Sequence, residues 1–464
     1  MVLIKSISGI RGTIGGKTGE NLTPLDIVKF TAAFGSFVKR KFKGQKVQFV
    51  VGRDARMSGE MVEQIVVATL TGLGIEVTNT GLSTTPTVEM AVIESGSQGG
   101  IIITASHNPK EWNALKLLNE KGEFISGDEG SQVLEMAEKE DFEFAHVNQL
   151  GNVRYDDTTI DQHIDLILQL ALVDKDAISS AHFKVVVDAV NSTGGIAIPK
   201  LLKALGVDQV YELYCKPTGD FPHNPEPLPE NLKAISKKVT EAGADLGIVV
   251  DPDVDRLALV MENGEMFGEE YTLVAVADYV LQYQKGNTVS NLSSSRALRD
   301  ITEKHAGQYH ASAVGEVNVV EKMKEVNAII GGEGNGGVIY PELHYGRDAL
   351  VGIALLLTYL AKNKLSLSAL KKTYPAYAIS KNKIELGRAD QLDPLFDHIK
   401  KQYTSYPVST FDGVKIDFED GWVHLRPSNT EPIIRIYAES TSEEKSTAYA
   451  DKVIALAKSF LSAR

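Results

Sequence analysis

One pattern restricts the fold more than any other: a buried strand, a crossover helix and a second strand recur three times. In the first copy, residues 47–51 form an apolar run, 59–73 carry helical spacing, Gly74 stops the helix and Glu76-Val77-Thr78 opens the next strand. The second copy runs through a strand at 183–188, a loop at 191–195, a helix over 196–205 stopped by Gly206, and a strand at 210–213. The third, looser copy has a strand at 288–290, a helix over 296–305 and a strand at 309–313. This repetition predicts three related α/β domains with mixed sheets. Beyond Tyr374-Pro375 the pattern changes. Short strands at 414–418 and 422–425 meet at Asp420-Gly421, a hairpin signal, and 433–439 gives a third strand. Thr441-Ser442 then opens an amphipathic helix, so the C-terminal domain is a smaller α+β unit. A chain of 464 residues holds about three or four domains. The expected boundaries are 1–152, 153–256, 257–370 and 371–464.

Four stretches carry chemistry. Thr104-Ala105-Ser106-His107-Asn108-Pro109 follows the apolar run Ile101-Ile102-Ile103. Asn108 suits a helix cap, Pro109 a first helical position, and Glu111 can return to the cap, so a helix is expected to begin there. Ser106 then sits on a turn at a helix N-terminus, where free N–H groups favour an anion. A serine hydroxyl in that place can carry or attack a phosphoryl group. The plainer alternative is a capped helix after a core strand.

Asp251, Asp253 and Asp255 alternate just after a strand at 246–250. Residues two apart in extended chain point the same way, so the three carboxylates can converge on one hard divalent cation, and oxygen-only ligands suit Mg²⁺. The alternatives are a solvated acidic turn and an aspartyl nucleophile of the phosphatase kind. Residues 331–337 hold Glu333 and Asn335 among five glycines, too glycine-rich for a strand or helix interior, and these two side chains suit sugar hydroxyls. In the loop beginning at Arg426, the side chains of Ser428, Asn429 and Thr430 can cradle a phosphate, with Arg426 and Arg435 as forked donors. An ordinary hairpin loop with surface arginines is the alternative. Lys116, just past the serine stretch, could exchange protons if its pKa falls, or sit on a solvated strand face. Arg11, Arg53 and Arg56 either neutralise phosphate or are exposed.

The formal charge of −13, from 48 basic and 61 acidic side chains, argues against nucleic acid or an anionic membrane as main partner. One cysteine, Cys215, excludes an internal disulfide and fits a reducing compartment. The first residues are too poor in apolar side chains for a signal peptide. The longest apolar run, 349–361, is too short to span a bilayer and reads as a buried helix. A cytoplasmic protein, monomer or homodimer, is expected.

In their order and spacing the four motifs resemble those of the α-D-phosphohexomutase family, which includes phosphoglucomutase, phosphomannomutase and phosphoglucosamine mutase. The resemblance covers essentially the whole chain and implies four domains around a central cleft. It implies that Ser106 is phosphorylated in the active enzyme and that Asp251, Asp253 and Asp255 hold Mg²⁺ together with that phosphate. Lys116 and Arg11 would lie near the reacting phosphate, with His107 a further catalytic candidate and Arg256 a substrate-binding one. Glu333 and Asn335 would contact sugar hydroxyls. Arg426, Ser428, Asn429 and Thr430, with Arg435, would grip the phosphate that is not reacting. The implied reaction moves a phosphoryl group reversibly between the 6- and 1-positions of a hexose through phosphoserine and a hexose 1,6-bisphosphate. Asn335 and Gly337 stand where many bacterial relatives carry serine and histidine, a version that looks more like the archaeal-type phosphoglucosamine mutases. Glucosamine phosphate is therefore the expected substrate, with mannose or glucose phosphate as alternatives. A serine-dependent sugar phosphatase and a sugar-phosphate sensor are the readings from other classes.

Overall fold

A computed structural model describes residues 3–6, 9–386, 391–428 and 433–462. The chain divides into two units: Met1–Tyr279 with Asn335–Leu370, and Val280–Gly334 with Lys371–Arg464.

In the first unit, the described strands form a mixed sheet in the order Leu3–Ser6, Gly9–Thr13, Trp112–Leu118, Gly99–Ile103, Gln48–Arg53, Glu76–Leu82, Val153–Tyr155. The helix Pro24–Lys41 starts where Thr23 N donates to Asp26 Oδ2 at 3.1 Å, with proline in its first turn. It buries Ile27, Phe30, Phe34 and Val38 in the same core cluster as Phe49, Val51, Ile101 and Ile103. Gly99–Ile103 is buried along its whole length, as a continuous apolar run requires. The helix expected at Asn108-Pro109 does not form. The chain turns, with Trp112 N donating to Pro109 O at 3.1 Å, and returns as the strand Trp112–Leu118. That strand pairs antiparallel on both sides, with Gly9–Thr13 and with Gly99–Ile103. Two ladders of backbone hydrogen bonds and burial of Ala114, Leu115, Leu117 and Leu118 outweigh a local cap signal.

The second mixed sheet of this unit has the order Leu257–Met261, Leu246–Val250, Lys184–Asp188, Gln209–Leu213. Leu246–Val250 and Leu257–Met261 are antiparallel neighbours, and the short link between them carries the three aspartates. The helix Ala349–Asn363 is buried from Ala349 through Leu360 and is capped by Asp348, whose Oδ1 accepts from Leu350 N at 2.8 Å. Among the described residues no helix is long and apolar enough to cross a membrane.

In the second unit, parallel strands Tyr309–Ser312, Asn287–Asn291 and Ala328–Glu333 lie in that order. Gly331 and Gly332, expected in a loop, belong to the strand Ala328–Glu333. A Cβ on Gly331 would sit 2.6 Å from Met323 Sδ, so the missing side chain serves helix packing. The C-terminal domain pairs Ala378–Glu385, Ile433–Ser440, Gly421–Pro427, Val414–Phe418 and Val408–Ser409 in that order, all antiparallel. Helices Leu392–Gln402 and Glu443–Ser462 contribute Leu395, Ile399, Ala450 and Val453 to its core.

His424 is buried in this unit. Its Nε2–H faces the Asp412 carbonyl at 2.6 Å, so Nδ1 accepts from Ser293 Oγ at 2.9 Å. Burial pushes its pKa down to about 4. An unfolded histidine takes its proton near 6.5, so between those values the unfolded chain binds more protons. Stability of this unit should fall by up to ~3 kcal/mol as pH drops from 6.5 towards 4. His424→Gln should flatten that fall, as followed by urea unfolding; identical pH slopes would refute the assignment.

Candidate active site

Ser106 is buried and occupies a left-handed conformation with φ 50°. Its N–H donates to Thr104 Oγ1 at 2.9 Å, and that hydroxyl donates to Asp54 Oδ2 at 2.7 Å. Arg56 holds the rest of the turn. Its Nη2 donates to the carbonyls of Ser106 at 2.5 Å and Asn108 at 2.7 Å. Nη1 donates to those of Pro109 at 2.7 Å and Trp112 at 2.9 Å, and Nε reaches Asp54 Oδ2 at 3.0 Å. Arg56 is thus a buried brace, paired with Asp54 and with its N–H groups taken up inside the turn rather than exposed or turned to a phosphate. Arg53 is paired with Glu63. Arg11 donates to Asn108 Oδ1 at 2.8 Å.

The Ser106 hydroxyl donates to Asp251 Oδ2 at 2.9 Å. His107 Nδ1 lies 3.3 Å from the same hydroxyl. Burial, then Arg256 and Arg11, holds this imidazole well below its ordinary pKa, so it is neutral near pH 7.

The three aspartates converge, but extended-chain alternation is not the cause. Residues 251–256 form a turn with Val254 at φ 65°, and Asp251 Oδ1 accepts the backbone N–H groups of Asp255 at 3.2 Å and Arg256 at 3.1 Å. One ligand atom from each of Asp251, Asp253 and Asp255 lies within 4.8 Å of the others, all fully buried. Their outer oxygens are tied. Asp253 Oδ2 takes Lys116 Nζ at 2.7 Å and Thr85 Oγ1 at 2.6 Å. Asp255 Oδ2 takes Arg347 Nη2 at 2.7 Å and Lys116 Nζ at 3.4 Å. Asp253 Oδ1 and Asp255 Oδ1 are buried with no hydrogen-bond partner among the described residues. A bare carboxylate oxygen in a dry interior is costly, and a hard divalent cation relieves it. The donor set is all oxygen, so the residues fit Mg²⁺.

The titration of the cluster follows from the same contacts. Burial, with Asp255 and Asp253 adding to it, pushes Asp251 well above the carboxylate range. Burial acts the same way on Asp253, but Lys116 outweighs it and holds Asp253 low. For Lys116, burial would depress the ammonium, and Asp253 with Asp255 overcomes that and raises it. Lys116 is therefore a buried fixed cation. It neither sits on a solvated face nor shows the lowered pKa that proton exchange needs.

Arg256 Nε lies 4.0 Å from both Asp251 Oδ2 and Asp255 Oδ1 and makes no hydrogen bond among the described residues. Asn335, also in this unit, accepts from Gly337 N at 3.2 Å. Two contacts escaped the sequence reading. Thr85 is visible only as part of a helix cap at Thr84-Thr85-Pro86, and Arg347 lies too far along the chain from Asp255 for any local signal.

The second unit holds the remaining candidates. Glu333 Oε1 accepts from Asn291 Nδ2 at 2.9 Å and from Gly315 N at 3.1 Å. Arg426 and Arg435 are direct cross-strand partners, and Lys383 is the partner of Arg435 on its other side. Three cations therefore share one sheet face, where like charges repel, and the Asp412 and Glu333 carboxylates act on Arg426. Lys383 was not anticipated from sequence. Ser428 N donates to Ile433 O at 3.0 Å. Asn429 and Thr430 lie outside the described residues.

Comparison with known proteins bears on the whole chain. Models of the phosphoglucomutase/phosphomannomutase α/β/α domains I, II and III match residues 4–144, 161–264 and 268–377, and that of the C-terminal domain matches 382–456. A phosphoglucomutase/phosphomannomutase of Thermococcus kodakarensis is 37% identical over 96% of this chain and 97% of its own. A phosphoglucosamine/phosphogalactosamine mutase of Sulfurisphaera tokodaii is 31% identical over 94% of each. The crystal structure of a phosphoglucomutase/phosphomannomutase family protein from Burkholderia thailandensis superposes with a TM-score of 0.85 at 28% identity, covering 98% of this chain and 97% of that one. With four domain types matched in order from one end to the other, the chain belongs to the phosphoglucomutase/phosphomannomutase family of phosphohexomutases.

Proposed function

We propose that this protein interconverts the 6-phosphate and 1-phosphate of a hexose through a phosphorylated Ser106, with glucosamine phosphate the preferred sugar. The observation that carries the reading is the Ser106 hydroxyl on Asp251, beside two buried carboxylate oxygens left bare on Asp253 and Asp255. In the forward step the free sugar hydroxyl attacks the phosphorus of phosphoserine, the P–O bond to Ser106 breaks, and a hexose 1,6-bisphosphate results. The intermediate reorients, and Ser106 Oγ attacks the other phosphate, regenerating phosphoserine and releasing the isomer. Asp251, Asp253 and Asp255 would hold Mg²⁺, which would supply charge stabilisation for phosphoryl transfer. Lys116 and Arg11 add fixed positive charge, and the turn braced by Arg56 aims the serine oxygen. His107, neutral and 3.3 Å from the serine oxygen, is assigned to take up the proton released by the attacking hydroxyl. Arg256, with Glu333 and Asn335, is assigned to the sugar. Arg426, Arg435, Ser428, Asn429, Thr430 and the unanticipated Lys383 are assigned to the phosphate that is not reacting.

The test is a phosphorus NMR time course with glucosamine, mannose and glucose 6-phosphates, Mg²⁺ and a catalytic amount of hexose 1,6-bisphosphate. The 1-phosphate isomer should appear without free phosphate, fastest for glucosamine. Stoichiometric release of inorganic phosphate would replace this reading with the phosphatase.

A further inference from the structure

We propose that Arg347 selects the cation of the acidic loop, restricting Asp255 to one oxygen and so favouring Mg²⁺ over larger divalent ions. The inference rests on the metal reading of Asp251, Asp253 and Asp255 given above. Arg347 Nη2 occupies Asp255 Oδ2 at 2.7 Å, and Oδ1 is left bare among the described residues. The other contact to Oδ2, from Lys116, is longer at 3.4 Å. A carboxylate held this way binds through one atom. Mg²⁺ accepts that readily, being small and octahedral with metal–oxygen distances of about 2.0–2.1 Å. Ca²⁺ prefers six to eight oxygens at about 2.3–2.6 Å and gains from bidentate carboxylates.

Arg347 is delivered to this place by its surroundings. Its Cδ passes over Gly337 so closely that a Cβ there would collide with it. Gly337 has no side chain, and the arginine uses that space. The next residue, Asp348, is locked. Its Oδ1 caps the following helix, and its Oδ2 receives His163 Nε2 at 3.0 Å and His344 Nε2 at 3.3 Å, with all three side chains buried. His163 Nδ1 in turn meets Thr87 Oγ1 at 3.0 Å, on the helix whose first residue, Thr85, ties Asp253. Two of the three residues that tie the acidic loop from outside, Thr85 and Arg347, are thus cross-braced through His163 and Asp348, beside Lys116. A buried guanidinium on a braced backbone suits the control of one carboxylate rotamer.

The test measures Mg²⁺ and Ca²⁺ dissociation constants by calorimetry on the full-length protein without sugar, for wild type, Arg347→Met and Arg347→Lys. Loss of positive charge alone tightens both ions and leaves their ratio unchanged. Release of Asp255 shifts the ratio. Arg347→Met should move the Ca²⁺-to-Mg²⁺ preference at least about fivefold towards Ca²⁺, and Arg347→Lys, which keeps charge but not the fork, by at least about twofold. Arg347→Lys carries the test should the methionine variant not fold. An unchanged ratio in the folded variants overturns the inference while leaving the metal site standing. Failure of wild type to bind either ion overturns both.

Discussion

Ser106→Ala should reduce hexose phosphate interconversion by at least about 10⁴-fold, with the protein still folded, because the proposed route passes the phosphoryl group through the Ser106 oxygen. The loss should lie in kcat. The turn itself survives, since its anchors are backbone carbonyls on Arg56 and the Thr104 hydroxyl, none of which uses the serine side chain. The measurement is turnover with saturating bisphosphate activator, beside a thermal melt. A folded variant that retains more than a hundredth of wild-type turnover would assign the carrier elsewhere.

The second large effect is expected at Arg56→Met. Five acceptors lose their donor together: the Asp54 carboxylate and the carbonyls of Ser106, Asn108, Pro109 and Trp112. Asp54 is fully buried and would keep only hydroxyl and backbone N–H partners. Burial already raises its pKa against the opposing pull of Arg56, so removing the guanidinium drives it further up. Leaving a buried carboxylate uncompensated costs about 3–5 kcal/mol, and the slackened turn should slow turnover on top of that. Arg56→Lys should rescue little, because one ammonium cannot serve acceptors on five sides. Urea unfolding and steady-state kinetics read both effects, and a variant within about 1 kcal/mol of wild type would show that the brace is redundant.

Much of the fold was legible in sequence because its elements announce themselves locally. Apolar runs at 47–51, 183–188 and 246–250 became the strands Gln48–Arg53, Lys184–Asp188 and Leu246–Val250, and the Asp420-Gly421 hairpin joins Val414–Phe418 to Gly421–Pro427. What sequence missed depends on pairing across distance. Asn108-Pro109 has the chemistry of a helix start, but two neighbouring strands claimed the following residues. Gly331 and Gly332 have the composition of a loop, yet they are strand residues trimmed for helix contact. The acids of the site were visible from spacing, while the groups that bind their outer oxygens were only half visible: Lys116 stands near a motif, Arg347 and Thr85 do not. Arg56 was seen but its task was misjudged, since exposure cannot be read from one residue in a polar stretch.

The chain leaves the first unit after Tyr279 and re-enters it at Asn335. A ribosome therefore releases Asp251, Asp253 and Asp255 well before Arg347, which must wait for everything between Val280 and Gly334 to emerge. The nascent unit holds its repelling acids with part of their counter-charge still unmade, and closing that long excursion carries an entropic toll that grows only slowly with its length. Completion of the reaction centre is in this sense a late event in the birth of the molecule.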